Sequence, residues 1–396
     1  MKLSPPALCT GCMACVDSCH HNALAISIDH NGFYHIDTND KNCVNCGLCS
    51  RVCPVLNPSS IDRDNIALSK PYAAWYEDEM LRSKSASGGA FAAIAKTLLE
   101  KGAVVYGAAI DGFEVCHKRI ETIEELPLLL GSKYQHSRMD GIYSLVKKDL
   151  REGRVVLFSG LSCQVAGVLR YVGKKLSEKL FTVDTICGGL STMLPMMKIK
   201  ECGNYKEVRS FRDKEKGWKS KGFKYALKLV RNDGTVEDMG MDNMMIKCFC
   251  HKETKRSSCY DCLFNGFHRE ADVTIGDFWG DTRFPEQHPN GVSVVVLHND
   301  RVKAYINSST LHLEQVMWDE VVKSNPSLYW SHYPNYRKLC TRKRVFAKLR
   351  AGDEQAALRI MDNNSILRRL ESRLLLSGNE KEREVYLRNV LEKDTK

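Results

Sequence analysis

The chain has 396 residues, 58 Lys and Arg against 48 Asp and Glu, a formal charge of +10, and 17 cysteines. That length exceeds one small module and predicts about two to four domains around a sizeable core. No apolar run reaches the ~18 residues of a membrane span, and the opening MKLSPPALCTGC carries no hydrophobic signal region. The expectation is therefore a cytoplasmic protein, in a reducing compartment where cysteines serve metal and not disulfides.

The first motif begins at once. Cys9, Cys12, Cys15 and Cys19 form a C-x2-C-x2-C-x3-C run; Cys43, Cys46, Cys49 and Cys53 repeat it, with Pro54 after the last. Bacterial-type ferredoxins hold two 4Fe–4S clusters with this spacing, three thiolates gripping one cubane while the fourth reaches the other. The expected sets are Cys9, Cys12, Cys15 and Cys53 on one cluster, and Cys43, Cys46, Cys49 and Cys19 on the other. Gly11 and Gly47 relieve crowding where the backbone wraps sulfur. Zinc sites use one or two C-x2-C pairs and not doubled four-cysteine runs. His20 stands where the second run has Pro54, which changes no ligand. Thiolate-bound clusters carry negative charge, so the loaded protein is expected to be only mildly basic, which weakens a nucleic-acid reading.

Between the runs, AISIDHNGFYHIDT reads as two strands around a turn at Asn31-Gly32. Residues 55–70 read as a polar linker. PYAAWY is then a short strand, and SASGGAFAAIAKTLLEKG is a helix with its apolar stripe on Phe91, Ile94, Ala95, Leu98 and Leu99, Ser87 as N-cap and Gly102 as C-cap. AVVYGAAI is a buried strand that VCHKRI pairs with. Residues 121–130 read as a helix interrupted by Pro127, and 138–151 as another helix. RVVLFSG is a strand running into the helix SCQVAGVLRYVG, and 180–187 is a further strand. This alternation predicts an α/β layer with ligand-binding loops at the strand ends. Residues 205–245 read as hairpins around Asn232-Asp233-Gly234, 292–298 as a strand, and the region from Tyr336 as a charged helical tail with a stripe at Ile366, Leu370 and Leu374.

Four later cysteines invite a common reading: Cys163 in SGLSCQVAG, Cys187 in DTICGG, and Cys259 with Cys262 in SSCYDC. Three loops bringing four sulfurs together would suit a third 4Fe–4S cluster. The alternative leaves Cys163 and Cys187 as small buried hydrophobes and puts Cys259 and Cys262 on zinc. Cys248 and Cys250 compete as ligands; Cys116, Cys202 and Cys340 are read as structural. Glycine-rich turns precede helices at Ser87-Gly88-Gly89, Gly131-Ser132-Lys133-Tyr134, Gly160-Leu161-Ser162 and Gly188-Gly189. Such turns suit a pyrophosphate at a helix N-terminus, and Lys133 would add charge, but no G-x-G-x-x-G fingerprint is present. His117, His136 and His268 read as surface or packed histidines. The lysines from Lys214 to Lys228, with Trp218, Phe223 and Tyr225 among them, read as a solvated strand face or a docking surface for an acidic carrier.

Taken in order, SGGAF, GSKYQHS, SCQVAG, ICGG, FRDKEKGW, SCYDC and ADVTIGDFWG resemble the coenzyme F420 hydrogenase/dehydrogenase beta-subunit family, fused behind a two-cluster ferredoxin domain. The resemblance covers about residues 1–300. It implies an FAD-containing fold, with Ser87, Gly88, Gly89, Gly131, Ser132, Lys133, Tyr134 and Gln164 at the flavin, and Cys163, Cys187, Cys259 and Cys262 on an added cluster. It also implies an α+β chain. A ferredoxin-like two-cluster domain at 1–60 would precede the family's N-terminal and C-terminal regions at 71–150 and 151–335, an α/β flavin-binding domain with a mixed sheet, and a helical tail at 336–396. Family members move electron pairs between the deazaflavin F420 or another two-electron partner, FAD and iron–sulfur centres, and related proteins accompany surface-polysaccharide synthesis genes. Partners implied are an electron-carrier protein or a redox cofactor, F420 or a nicotinamide, and no nucleic acid. The chain departs from the family at Ser162, where proline is common, at Gly188, where the family has the histidine of C-H-G, and at Ser257, where a proline follows the arginine. The lost histidine favours the other reading, a non-catalytic electron-transfer or scaffold subunit with a decayed flavin site.

Overall fold

Short apolar runs with turn residues between them become the strands of one central sheet. The structure, a computed structural model, describes residues 2–212, 214–215, 217–218, 227–303, 306, 311–328 and 336–362. Phe223, Tyr225 and the stripe at Ile366, Leu370 and Leu374 lie outside the described residues, as do Asp213 and Lys216 of FRDKEKGW. In chain order the strands are β1 (Leu24–Ile28), β2 (Tyr34–Thr38), β3 (Lys70–Tyr76), β4 (Val104–Asp111), β5 (Glu114–Ile120), β6 (Val156–Gly160), β7 (Leu180–Thr185), β8 (Tyr205–Ser210), β9 (Lys228–Arg231), β10 (Val236–Asp238), β11 (Val273–Asp277), β12 (Ser293–Leu297) and β13 (Leu311–Gln315).

The main sheet has the order β13-β3-β12-β11-β7-β6-β4-β5. Its centre, from β11 through β7 and β6 to β4, is parallel, and every other pairing is antiparallel. The chain is α+β with a mixed sheet. Alternate residues point to opposite faces, and the sequence uses both. Val105, Leu157, Phe181 and Val183 meet the helix Ala90–Glu100 on one face. Val104, Tyr106, Val156, Phe158 and Leu180 meet the helices Ile142–Arg151 and Ser162–Val172 on the other. A small sheet, β10-β9-β8, forms the hairpins expected around Gly234. Among the described residues no helix is long and apolar enough to cross a membrane.

Two expectations shift in detail. The helix after Ser87 begins at Ala90, with Gly89 as its left-handed N-cap at φ 86°, because the Ser87 hydroxyl donates instead to the Val292 carbonyl at 2.7 Å. The stretch before Gly131 is a single 3-10 turn, Leu126–Leu129, with Pro127 in its first positions.

The cysteine module packs on the second face. Its hairpin β1–β2 turns at Asn31-Gly32, Gly32 having φ 75°. Met13 and Ala14 enter the core beside Tyr143, Val165 and Val168. Asp17 reaches across to cap the helix Ile142–Arg151. Its Oδ1 accepts the Gly141 amide at 2.6 Å, and its Oδ2 accepts the amides of Tyr143 and Ser144 at 2.9 and 3.3 Å. A carboxylate here satisfies orphan N–H groups and meets the positive end of the helix. Tyr143 answers by donating to the Cys12 carbonyl at 2.8 Å. Replacing Asp17 by Ala should therefore lower stability by about 1–2 kcal/mol, with Asp17→Asn costing less; oxygen-free urea unfolding of the loaded protein measures both.

Candidate functional site

The first two sulfur sets are built on backbone turns that most residues avoid. In the run opening at Cys9, Gly11 and Met13 have φ of 70° and 68°; in the run opening at Cys43, Asn45 and Gly47 have φ of 55° and 75°. Left-handed residues thus flank Cys12 and Cys46 at matching places. Asn tolerates this region, whereas Met13 is held there by burial, being 1 % exposed. Sequence reasoning found the two glycines. Aligning the runs, Gly11 with Asn45 and Met13 with Gly47, would have shown that each loop needs two such positions.

The eight cysteines divide between two cavities. An outer one of ≈ 300 Å³ is lined by Cys19, Cys43, Cys46 and Cys49; an inner one of ≈ 530 Å³ is lined by Cys9, Cys12, Cys15 and Cys53. Each therefore takes three cysteines of one run and the last of the other. Cys46 is exposed and Cys12 is buried. Burial pushes the Cys12 thiol up to about 12, with the neighbouring Cys9 and Cys53 raising it further.

The four later cysteines converge as well. Cys163 lies in the first turn of the helix Ser162–Val172, Cys187 just past β7, Cys259 in the turn Ser257–Cys259, and Cys262 beyond it. Burial raises Cys163 well above the ordinary thiol range, and Cys262, Cys12, Cys187 and Cys259 each add to it. Burial pushes Cys262 up to about 12, followed by the effect of Cys259. Gly189 N–H donates to Cys187 Sγ and Leu190 N–H to Cys259 Sγ, both at 3.3 Å. Amide donors of this kind orient metal-bound thiolates and tune them. Among the described residues no three His, Cys, Asp or Glu gather tightly enough for a single metal ion. Cys248 sits apart, in an apolar cluster with Phe33, Val345 and Phe346.

The helix carrying Cys163 is pressed against the inner set. A Cβ at Gly167, one turn after Cys163, would meet Tyr143 Oη at 3.0 Å and Cys12 Sγ at 3.4 Å.

A cavity of ≈ 800 Å³ opens at the carboxyl ends of the parallel strands, where open α/β sheets bind ligands. Ser87, Gly89, Gly131, Ser132, Lys133, Tyr134 and Gln164 line it, and so do Cys187, Gly188, Gly189 and Cys250. Gly88 is not in this wall. A Cβ on it would meet the Ala74 carbonyl at 2.3 Å and the Ser293 nitrogen at 2.7 Å, so it serves the packing of the turn against β3 and β12. Gln164 is fully buried and committed: its Oε1 accepts the Leu161 amide at 2.9 Å and its Nε2 donates to Ser137 Oγ at 3.0 Å. Lys133 Nζ donates to the carbonyls of Leu129 and Leu130 at 2.9 and 2.8 Å, and burial lowers its pKa to about 7.

Three wall residues, Arg212, Asp277 and Trp279, were not singled out from the sequence, although they lie in quoted motifs. Arg212, from FRDKEKGW, makes a bidentate pair with Asp277, from ADVTIGDFWG, at 2.8 and 2.9 Å. Trp218 Nε1 donates to the same carboxylate at 2.8 Å, and its ring stacks on Trp279 at 5.1 Å. His117, read as packed or exposed, is 5 % exposed in the same wall; Nε2 donates to the Ser159 carbonyl at 2.8 Å, and burial lowers its pKa to about 4. His136 is 1 % exposed, and among the described residues neither ring nitrogen has a hydrogen-bond partner.

Comparison with known families accounts for most of the chain. Residues 8–57 match a 4Fe–4S dicluster domain. Residues 71–142 match the coenzyme F420 hydrogenase/dehydrogenase beta subunit N-terminal description, and 153–316 match its C-terminal one. The chain belongs to the coenzyme F420 hydrogenase/dehydrogenase beta-subunit family. Its placement there, with the dicluster domain in front, makes it an iron–sulfur protein of the oxidoreductase, electron-transfer type. No curated protein matches it. Among solved structures it is similar to a chain of the F420-reducing NiFe hydrogenase complex from Methanosarcina barkeri, at 17% identity and a TM-score of 0.47, over 69% of this chain and 92% of that one.

The cavity gives this family member a measurable pH signature. A lysine depressed to about 7 stays protonated in the unfolded chain up to its ordinary value of 10.5. Between those limits the unfolded state binds the extra proton, so stability rises with pH; below about 7 the full cost of burying the charge remains. Lys133→Met should reduce the rise between pH 7.5 and 9.5, leaving the part due to Lys214, whose pKa burial also lowers to about 7; the readout is the shift of the urea midpoint between the two pH values.

Proposed function

We propose that the chain is an iron–sulfur flavoprotein. Its three sulfur sets hold 4Fe–4S clusters in the order outer, inner and third, and the ≈ 800 Å³ cavity holds FAD beside the third. Cavities of about 300–1,000 Å³ are usual for cofactors. The observation that carries the reading is the segment Cys187-Gly188-Gly189, which belongs at once to the third sulfur set and to the cavity wall. A bound flavin would supply the exchange between electron pairs and single electrons that an iron–sulfur relay requires.

The chain's own residues do the positioning. Gln164 fixes the turn between β6 and its helix, which sets Cys163. The amides of Gly189 and Leu190 hold the sulfurs of Cys187 and Cys259 toward one volume. Gly88 and Gly89 bring the turn of Ser87 to the wall. The two-electron partner, a deazaflavin or a nicotinamide, approaches through the same open cavity. A second reading keeps the clusters and drops FAD; Gly188, standing where the resemblance expects histidine, favours it.

Oxygen-free purification decides between them. The flavoprotein reading expects about twelve irons per chain, three cubanes' worth, and FAD released on denaturation; iron without flavin would leave the second reading. Cys163→Ser should lower iron to about eight while the signals of the two N-terminal clusters persist.

A further inference from the structure

Arg256 lies between two sulfur sets, and among the described residues its charge meets no carboxylate. It is 7 % exposed. Its Nε donates to the Cys9 carbonyl at 2.6 Å and its Nη1 to the Tyr34 carbonyl at 2.9 Å, while its backbone N–H donates to Leu190 at 2.8 Å. The guanidinium lies 5.8 Å from the Phe33 ring centroid and lines the inner cavity with Cys9, Cys12, Cys15 and Cys53. The same residue opens the loop that presents Cys259 and Cys262, and its charge acts on Cys259.

Among the described residues no carboxylate lies within ion-pairing distance of it. Two acids line the same cavity, and both are engaged elsewhere: Asp29 Oδ1 accepts the amides of Asn31 and Phe33, and Asp37 faces His35 at 4.0 Å. Two other buried arginines meet carboxylates, Arg269 reaching Asp184 at 3.4 Å and Arg212 reaching Asp277 at 2.8 Å; Arg82 is bonded to the Gln287 side chain and the carbonyls of Gln287 and Gly291, and Arg342, which also lines the inner cavity, donates to the carbonyls of Glu253 and Lys255. What sets Arg256 apart is what it faces: two neutral carbonyls leave its charge without a counter-ion, and the cavity beside it is lined by four cysteines. A 4Fe–4S cube bound by four thiolates is such a counter-ion, and it becomes more negative on reduction.

We infer that Arg256 is the counter-cation of the inner cluster and acts as a positioning residue for electron flow, holding that cluster's potential up next to the third. This rests on the cluster assignment of the proposed function and is independent of FAD. A nearby cation stabilises the reduced, more negative state, so removing it moves the potential down. The Nε bond to the Cys9 carbonyl and the charge are separable, because lysine keeps the charge and loses the fork.

The test is EPR-monitored redox titration of the full holoprotein, comparing wild type with Arg256→Gln and Arg256→Lys. The expected result is a fall in the inner cluster's potential in Arg256→Gln, about tenfold in the reduction equilibrium or about 59 mV for a one-electron couple. Arg256→Lys should retain most of the wild-type value, and the outer cluster should be unmoved in both. Equal shifts in the two variants would assign the effect to lost geometry, and an unchanged potential in Arg256→Gln would remove the charge from any role; either overturns the inference. A wild-type protein with no cluster signals would instead defeat the cluster reading itself, before any variant is compared.

Discussion

The contact on which the rest depends is the seating of the cysteine module against the helix Ser162–Val172. Electron transfer between buried centres needs short, fixed separations, and a module joined only by a polar linker would not supply them. Here the linker is not what fixes the distance. Asp17 of the module caps the helix Ile142–Arg151 across 124 residues of sequence, Tyr143 of that helix donates to the Cys12 carbonyl, and Gly167 leaves room for Cys12 Sγ. A larger residue at 167 would force the helix, and Cys163 with it, away from the inner sulfurs. One glycine and one reciprocal pair of bonds therefore set the gap between two sulfur sets that arise from unrelated parts of the chain.

What the sequence shows directly is what short-range chemistry decides. In a ferredoxin run three thiolates of one cubane sit on a single tight loop with two residues between neighbours, so the two N-terminal runs are legible from spacing. The Asn31-Gly32 turn and the apolar runs that became β4, β6 and β7 are legible for the same reason, since turn residues and alternation act locally. The convergence of Cys163, Cys187, Cys259 and Cys262 is not local: it brings together the segments after β6 and β7 and the segment before β11, three neighbouring strands of the main sheet. Spacing alone left those cysteines open between cluster, zinc and core, and only the resemblance joined them.

Long-range competition also explains the misplaced details. Ser87 has the residue type of an N-cap, yet its hydroxyl is taken by Val292, 205 residues away, and the cap passes to Gly89. Gly88 reads as a phosphate-cradling glycine, yet the carbonyl of Ala74 occupies the space where its side chain would be. Met13 has no sequence mark of a left-handed residue; the core around Tyr143 and Val168 outweighs the local strain. In each case the partner that wins belongs to another element.

The charges around the ≈ 800 Å³ cavity follow one rule. Lys133 is spent on the carbonyls of Leu129 and Leu130, Lys214 on those of Ser87 and Asn290 at 2.8 and 2.6 Å, and burial brings both lysines down to about 7. Arg212 is held by Asp277. These cations fasten loops to one another. On the flavoprotein reading, recognition of a pyrophosphate then falls to backbone N–H groups in the glycine turns and at the start of the helix Ser162–Val172, where the helix dipole adds partial positive charge without a mobile side chain. On that reading glycine and serine supply the close approach, while the ionisable groups of the same wall, Lys133, Arg212 and Asp277, are spent on one another and on neighbouring carbonyls and keep the wall still.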